Sequence, residues 1–288
     1  MGSEGSRRPV SRAGRAVMMP RVAVVDDLIY DVGFHRGDDT DFYLRKGYRV
    51  VAFEANPDLV QEGVRRFETE IANGRLEIVE GAISDSSEET IAFFAFDGYG
   101  RSGFSTTNPD LVDRVAGPPK RIEVPVVHVA DHLKRTGTPY FAKIDIEGAD
   151  RVCLDALLAL DARPALLSAE ADLDDFAHLR EDLDILERLG YKRFAAVAQK
   201  PIRDSVLQTR TRDGEPFSYR FRASSGGFGD DISGWASRAE IEKRYRALCR
   251  RQQLFGTGSV MRRRRRRVEA IPLIRRAWPG GYDTHAAR

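Results

Sequence analysis

At 288 residues the chain is long enough to bury a full hydrophobic core, and one domain with extensions is favoured over two. Its 46 Lys and Arg offset 44 Asp and Glu, so at a net charge of +2 any strongly basic surface has to come from local clustering. A mean hydropathy of −0.42, with no long uncharged apolar run, excludes a membrane-spanning helix.

The opening "MGSEGSRRPVSRAGRAVMMPR" is basic and rich in small residues but lacks the apolar core of a secretory signal, and residues 1–20 read as a flexible basic tail. After it, "LIYDVG", "YRVVAFE", "RLEIV", "PYFAKIDIE" and "ALLSAEA" are short apolar runs ending in glycine or acid, the character of parallel strands buried on both faces. Helical periodicity lies between them. Val60, Val64, Phe67 and Ile71 predict one helix from Pro57 to Ile71, and Phe176, Leu179, Leu183 and Leu186 predict another that Gly190 ends. Past Ala195, "RFAAVAQK" and "FSYRFRA" read as an antiparallel edge pair. This alternation predicts an α/β doubly wound sheet over residues 21–240, with ligands beyond the carboxyl ends of its strands, and a basic C-terminal extension over 241–288. Cys153 and Cys249 stand far apart and form no metal or redox motif, as expected of a cytoplasmic protein.

The loop after the first strand, "YDVGFHRGDDTDFYLRKG", has the spacing Asp-x-Gly-x-x-x-Gly, with Asp31, Gly33 and Gly37 ahead of a helix. Glycine there permits a tight turn and a close approach of backbone to ligand. A dinucleotide fingerprint would aim a helix N-terminus at pyrophosphate, but Asp38 and Asp39 occupy that position and would repel it. S-adenosylmethionine, which carries a sulfonium and an ammonium and no phosphate, suits such acids better. Glu54 ends the second strand 23 positions after Asp31 (54 − 31), near the spacing at which an acid accepts hydrogen bonds from ribose hydroxyls.

"YDVGFHRGDDTDFYLRKGYRVVAFEANP", "FAKIDIEGAD" and "SSGGFGDDISGW", in that order, resemble the FkbM-type S-adenosylmethionine-dependent methyltransferases over roughly Ile29 to Ser237. The resemblance implies a class I methyltransferase fold, Rossmann-like, with a mostly parallel seven-stranded sheet, helices on both faces and an antiparallel last pair of strands. It also implies O-methylation of a sugar or natural product. Asp31, Gly33 and Gly37, with Thr40, would then line the methionine part of the cofactor. His35 would lie beside the donor, Glu54 with Ala55 and Asn56 at the ribose, and Ala82 and Ile83 near the adenine. Phe34 departs from the smaller residue usual in the family.

Chemistry is expected at "KIDIEGAD", where strand alternation would point Asp145 and Glu147 the same way just before Gly148. One of the pair could take the proton of an acceptor hydroxyl as the methyl transfers. Alternatively, the two could bind a divalent ion with Glu170, or simply pair with Lys143, Arg151 or backbone donors. His128 and His132 flank a strand-to-helix junction and are weaker candidates for a base. "DGYGRSGFSTTNP" and "SSGGFGDDISGW" are either lids over the acceptor or surface connections. The run Arg262 to Arg267 could seek nucleic acid, an anionic membrane surface or an acidic patch within an oligomer. Its arginines lack interleaved aromatics, and the chain shows no RNA-binding motif. The expectation is therefore an O-methyltransferase on a small polar hydroxyl-bearing acceptor. N-methylation of an amine and a non-enzymatic polybasic binding protein are the alternatives.

Overall fold

The computed structural model describes residues 22–96, 102–112, 117–222, 225–255 and 280–288, so the tail expected over 1–20 and the arginines Arg262 to Arg267 lie outside the described residues. The chain begins with β1 (Val24–Val32), α1 (Asp38–Arg45), β2 (Arg49–Glu54), α2 (Pro57–Arg66), α3 (Glu68–Ala72), β3 (Leu76–Glu80), β4 (Ala82–Ile83) and β5 (Thr90–Ala95). A 3-10 turn (Ser102–Phe104) and α4 (Pro109–Val112) lead to β6 (Lys120–Val127), α5 (Val129–Thr136), β7 (Thr138–Ile144) and α6 (Asp150–Ala159). Then follow β8 (Leu166–Glu170), α7 (Phe176–Arg188), β9 (Arg193–Ala198), β10 (Val206–Arg210), β11 (Pro216–Arg220), α8 (Arg238–Phe255) and β12 (Tyr282–Ala287).

Seven strands form one sheet in the order β3-β2-β1-β7-β8-β12-β9, parallel except for β12, which runs antiparallel to both neighbours. This is the doubly wound, mostly parallel sheet that the strand and helix pattern predicts. The apolar runs are continuous because both faces are covered: Val50, Val51, Ala52 and Phe53 of β2 are each at most 4% exposed. Against one face pack Leu133 of α5, Leu154 of α6, Leu183 of α7 and Ile241 of α8. Against the other pack Phe42 and Tyr43 of α1, together with Phe221 and Phe228. Each such burial stabilises by roughly 1.5–3 kcal/mol.

The helices follow their end signals. Asn56 caps α2 by accepting the Asp58 N–H at 3.0 Å, with Pro57 in the first turn, and Asp175 caps α7 by accepting from Ala177 and His178. Leu179, Leu183 and Leu186 are buried as their spacing predicts. The single helix expected from Pro57 to Ile71 is instead two, broken at Phe67, which leaves the α-helical region and buries its ring. Within α2, Val64 faces solvent and Gly63 takes the inner position.

The expected edge pair is corrected. "RFAAVAQK" does become β9, but its antiparallel partner is β12, from the last residues of the chain, while "FSYRFRA" forms β11 of a separate hairpin with β10. The sheet thus draws on residues 282–287, and α8 packs on it too, although 241–288 was expected to lie outside the domain. "YDTHAA" does not read as a buried strand because Asp283, Thr284 and His285 are polar and consecutive. Each is accommodated by a neighbour: Asp283 accepts from Gln199 Nε2 at 2.8 Å, the Thr284 and Tyr245 hydroxyls lie 2.6 Å apart, and the His285 ring stacks on Phe141.

The β10–β11 hairpin lies on α1, with Tyr219 and Phe221 each 5.0 Å from the Phe42 ring. Residues 225–235, within the second candidate lid, are tied down. Phe228 stacks on Phe141 at 4.5 Å, and Asp231 pairs with buried Lys46 at 2.7 Å. Breaking a buried pair of this kind costs about 3–5 kcal/mol, which makes the segment a wall and not a moving cover. Among the described residues no helix is long and apolar enough to cross a membrane.

His285 gives the fold a pH dependence. Burial pushes its pKa down to about 4, against about 6.5 in an unfolded chain. Below the latter value the unfolded chain binds the extra proton, so this contribution is complete above it and is lost as pH falls toward 4. His285→Phe keeps a ring against Phe141 and removes the titration. Relative to this variant, the wild type should lose about 3 kcal/mol between neutral pH and pH 4, measured by urea unfolding at several pH values. A constant difference between the two proteins would show that His285 does not titrate this way.

Candidate active site

The site forms where β1 and β7 lie side by side and the strand order reverses, leaving a crevice at their carboxyl ends. After β1 the chain turns at Gly33, whose φ is +92° and whose Cβ, if present, would stand 2.0 Å from the Asp145 carbonyl oxygen. Only glycine lets the first loop lie against the loop that follows β7.

Lys143, buried on β7, joins these loops. Its ammonium donates to the Gly33 carbonyl at 2.9 Å and lies 3.4 Å from Asp31, 3.6 Å from Asp39 and 3.6 Å from Asp145. Burial pulls its pKa down, but Asp31, Asp145 and Asp39 outweigh that and hold it above the usual lysine range. Fully buried Asp31 is pushed up by burial, opposed by Lys143 and by the Thr40 hydroxyl, which donates to it at 2.6 Å.

A cavity of about 660 Å3 lies over these groups. Of the residues expected to hold a cofactor, Gly33, His35, Glu54, Ala55, Ala82 and Ile83 line it, whereas Asp31, Gly37, Thr40 and Asn56 stand behind the wall. Each of these four has an internal task. Asp31 and Thr40 brace Lys143, Asn56 caps α2, and Gly37 leaves room for the Phe34 and Phe67 rings, which a Cβ would approach to 2.6 Å.

Glu54 is held at the wall by two backbone donors, the N–H of His35 at 2.7 Å and that of Asn56 at 2.8 Å. Burial pushes its carboxyl up to about 7 against these bonds. His35 adopts a positive φ of 51°, and its Nε2 lies 2.8 Å from the Ser102 hydroxyl. Burial, with Arg36 and Lys143, lowers the imidazole pKa. Asp39 lines the cavity but turns its carboxylate to the Ser225 N–H, and Asp38 pairs with Arg66, so neither is simply a free charge facing a ligand.

Strand alternation does not govern Asp145 and Glu147, because β7 ends at Ile144 and Glu147 sits in a turn with φ +47°, followed by Gly148 at +91°. Two bonds hold this turn: the Thr106 hydroxyl donates to the Glu147 carbonyl at 2.8 Å, and Asp150 accepts the Ile146 N–H at 3.0 Å. The turn still brings the two carboxylates together and adds Glu170 from the end of β8, with one oxygen of each within 4.8 Å of the others. Burial, then Glu147 and Asp145, raise Glu170 well above the carboxylate range. Such a trio can retain a proton or offer oxygen ligands to a divalent ion. The pairing expected with Lys143 is present for Asp145, whereas Arg151 pairs with Asp182 and Glu181.

His128 and His132 do not line the cavity; the first lies at the start of α5, and the second packs edge-on against Phe53. Of "DGYGRSGFSTTNP", Ser102, Gly103, Ser105 and Thr107 line the cavity, so its described part contributes wall. Sequence reasoning missed Thr106 as the support of Glu147, and Gln199, Lys200, Arg203, Gly280 and Gly281 as lining. Lys143 was discoverable as more than an ion partner: a lysine inside an apolar strand needs carboxylates around it.

The methyltransferase FkbM domain model matches residues 31–193, more than half of the chain. No curated protein matches the sequence. Among solved structures, the methyltransferase FkbM from Methylobacillus flagellatus KT is 18% identical with a TM-score of 0.39, over 69% of this chain and 44% of that one. Precorrin-6y C5,15-methyltransferase from Geobacter metallireducens GS-15 is 14% identical with a TM-score of 0.35, over 68% and 76%. A SAM-dependent methyltransferase from Thiobacillus denitrificans in complex with S-adenosyl-L-homocysteine is 12% identical with a TM-score of 0.31, over 92% and 86%. By the extent of the domain match, which runs from the first glycine loop through the carboxylate turn to β9, the chain belongs to the FkbM methyltransferase family.

Proposed function

We propose that the protein transfers the methyl group of S-adenosylmethionine to a hydroxyl of a small polar acceptor. The observation that carries this is a largely buried carboxylate, Glu54, held by two backbone donors in the wall of a cavity that Asp145 and Glu147 also line. Glu54 suits the two ribose hydroxyls of a nucleoside, Ala82 and Ile83 offer an apolar wall to its base, and the acids along the cavity suit a sulfonium. In the reaction the sulfur–carbon bond breaks as the oxygen–carbon bond forms. The sulfonium keeps the electron pair and becomes a thioether, and the hydroxyl proton passes to a carboxylate of the Asp145 and Glu147 pair. Holding donor and acceptor in line supplies much of the rate. A second reading, in which Asp145, Glu147 and Glu170 hold a divalent ion that acidifies the hydroxyl, is favoured by the closeness of their oxygens.

The donor assignment predicts a pH profile. Ribose hydroxyls donate to ionised Glu54, so binding favours the deprotonated form, and affinity should fall as pH drops below about 7. Calorimetry with S-adenosylhomocysteine should show a decline approaching tenfold per unit, and Glu54→Ala should flatten it and weaken binding by about 1.5–3 kcal/mol. Unchanged affinity in a folded Glu54→Ala protein would remove Glu54 from the ribose.

The carboxylates are separated from the metal reading by amide variants. If a carboxylate takes the proton, Asp145→Asn or Glu147→Gln should lower single-turnover rates about 100-fold while donor affinity holds, and chelators should do nothing. Loss of wild-type activity on chelation, restored by added magnesium, would replace the base with the ion. Intact turnover in both variants at saturating donor would leave the pair a merely structural role.

A further inference from the structure

The charges lining the cavity are unevenly placed. Its acids, Asp38, Asp39, Glu54, Asp145 and Glu147, all come from the β1, β2 and β7 loops. Arg36 and the buried Lys143 line that part too, whereas among the described residues the lining contributed after β9 and before β12 has no acid and two cations, Lys200 and Arg203. Five strand steps separate β2 from β9, on the order of 24 Å at about 4.8 Å per step. A donor laid from Glu54 to the carboxylate turn uses the β2, β1 and β7 part and leaves the β9 end to the other substrate.

That end is built rather than loose. Gln199 donates its N–H to the Gly281 carbonyl at 3.0 Å and its side-chain amide to Asp283 at 2.8 Å. The Gly280–Gly281 backbone presses against it so closely that a Cβ on Gly281 would meet the Gln199 side chain at 2.4 Å, and one on Gly280 would meet Lys200 Cβ at 3.2 Å. Ile202, between the two cations in sequence, packs against Gly226, where a Cβ would approach it to 2.9 Å. The turn carrying Lys200 and Arg203 is therefore clamped from two sides. Lys200 is exposed, and among the described residues it pairs with no carboxylate.

We infer that the β9 end of the cavity binds an anionic group of the methyl acceptor, a phosphate or a carboxylate, through Lys200 and Arg203. This rests on the donor reading above and names the class of its partner: a hydroxylated acceptor bearing negative charge. Two cations on a rigid turn fit a group with several acceptor oxygens, and the acids at the donor end turn the same group away from the sulfonium pocket. Opposite ends of one cavity thereby sort two substrates by charge.

The test uses the full chain saturated with S-adenosylhomocysteine and titrated with pyrophosphate in one arm and citrate in the other. Saturable binding is expected, with the tighter anion naming the group. The double variant Lys200→Gln, Arg203→Gln should weaken it by roughly tenfold or more, while Lys192→Gln, at the opposite end of β9, should leave it unchanged. Affinity for S-adenosylhomocysteine should be the same in all three proteins. Absence of saturable anion binding, or equal loss in the Lys192 variant, overturns the inference. So does a loss of S-adenosylhomocysteine affinity in the double variant, which would assign the cations to the donor's own carboxylate. If the wild type did not bind S-adenosylhomocysteine at all, the donor reading itself would fall first.

Discussion

The ammonium of Lys143 organises the carboxylate-lined end of the cavity. Among the described residues it is the one buried cation lining the cavity, and Asp31 of β1, the Gly33 carbonyl, Asp39 of α1 and Asp145 after β7 all gather on it. A charge withdrawn from water this completely is tolerated only with partners, and its partners are tolerated only because of it. Removing it would strand three carboxylates near one another, so the geometry of the β1 loop, the start of α1 and the end of β7 depends on a single side chain. The same arrangement explains why Asp31 cannot serve a ligand directly. It is spent on Lys143 and Thr40, and what reaches the cavity is the position of the loop it anchors.

From that anchor the site is assembled by backbone as much as by side chains. Glu54 is aimed by N–H groups of His35 and Asn56, and Glu147 by a left-handed turn that Thr106 and Asp150 hold from either side. Gly33 contributes by having nothing to offer. These are inexpensive devices, each about one hydrogen bond or one absent methyl, yet they place carboxylates where their own repulsion would not. The Glu170 carboxyl, raised first by burial and then by Glu147 and Asp145, registers that crowding. On the proposed reading, a cationic donor or an ion at these acids would relieve it.

The second dependency is β12. Inserted antiparallel between β8 and β9, it brings Asp283 opposite Glu170 and His285 opposite Ser168, and it sets Gly280 and Gly281 against the turn after β9. Without it β9 would have no place in the sheet, and the cationic end of the cavity would have no floor. The shape of the cavity at the β9 end is thus coupled to residues 282–287 through ladder hydrogen bonds and not through any motif.

The sequence by itself determined the local elements and one end of the cavity. Apolar runs ending in glycine or acid marked the parallel strands, Pro57 marked the start of α2 and Gly190 the end of α7, and the spacing from the glycine loop to Glu54 marked one wall of the cavity. Gly33, Glu54, Asp145 and Glu147 were legible as cavity lining because each lies in or at the start of a loop that leaves the carboxyl end of a strand. Only the tertiary structure decided that Thr40, Asp31 and Asn56 face inward, that β7 ends before Asp145, that Phe67 breaks a helix, and that β9 pairs with "YDTHAA". Asn56 turns inward for a local reason, since it caps the helix that starts beside it. The other outcomes depend on partners more than a turn of helix away in the chain, and for β12 about 90 positions away, since His285 pairs with Ala195 (285 − 195 = 90). A buried Asp, Thr or His looks like a surface residue until the groups that satisfy it are brought alongside.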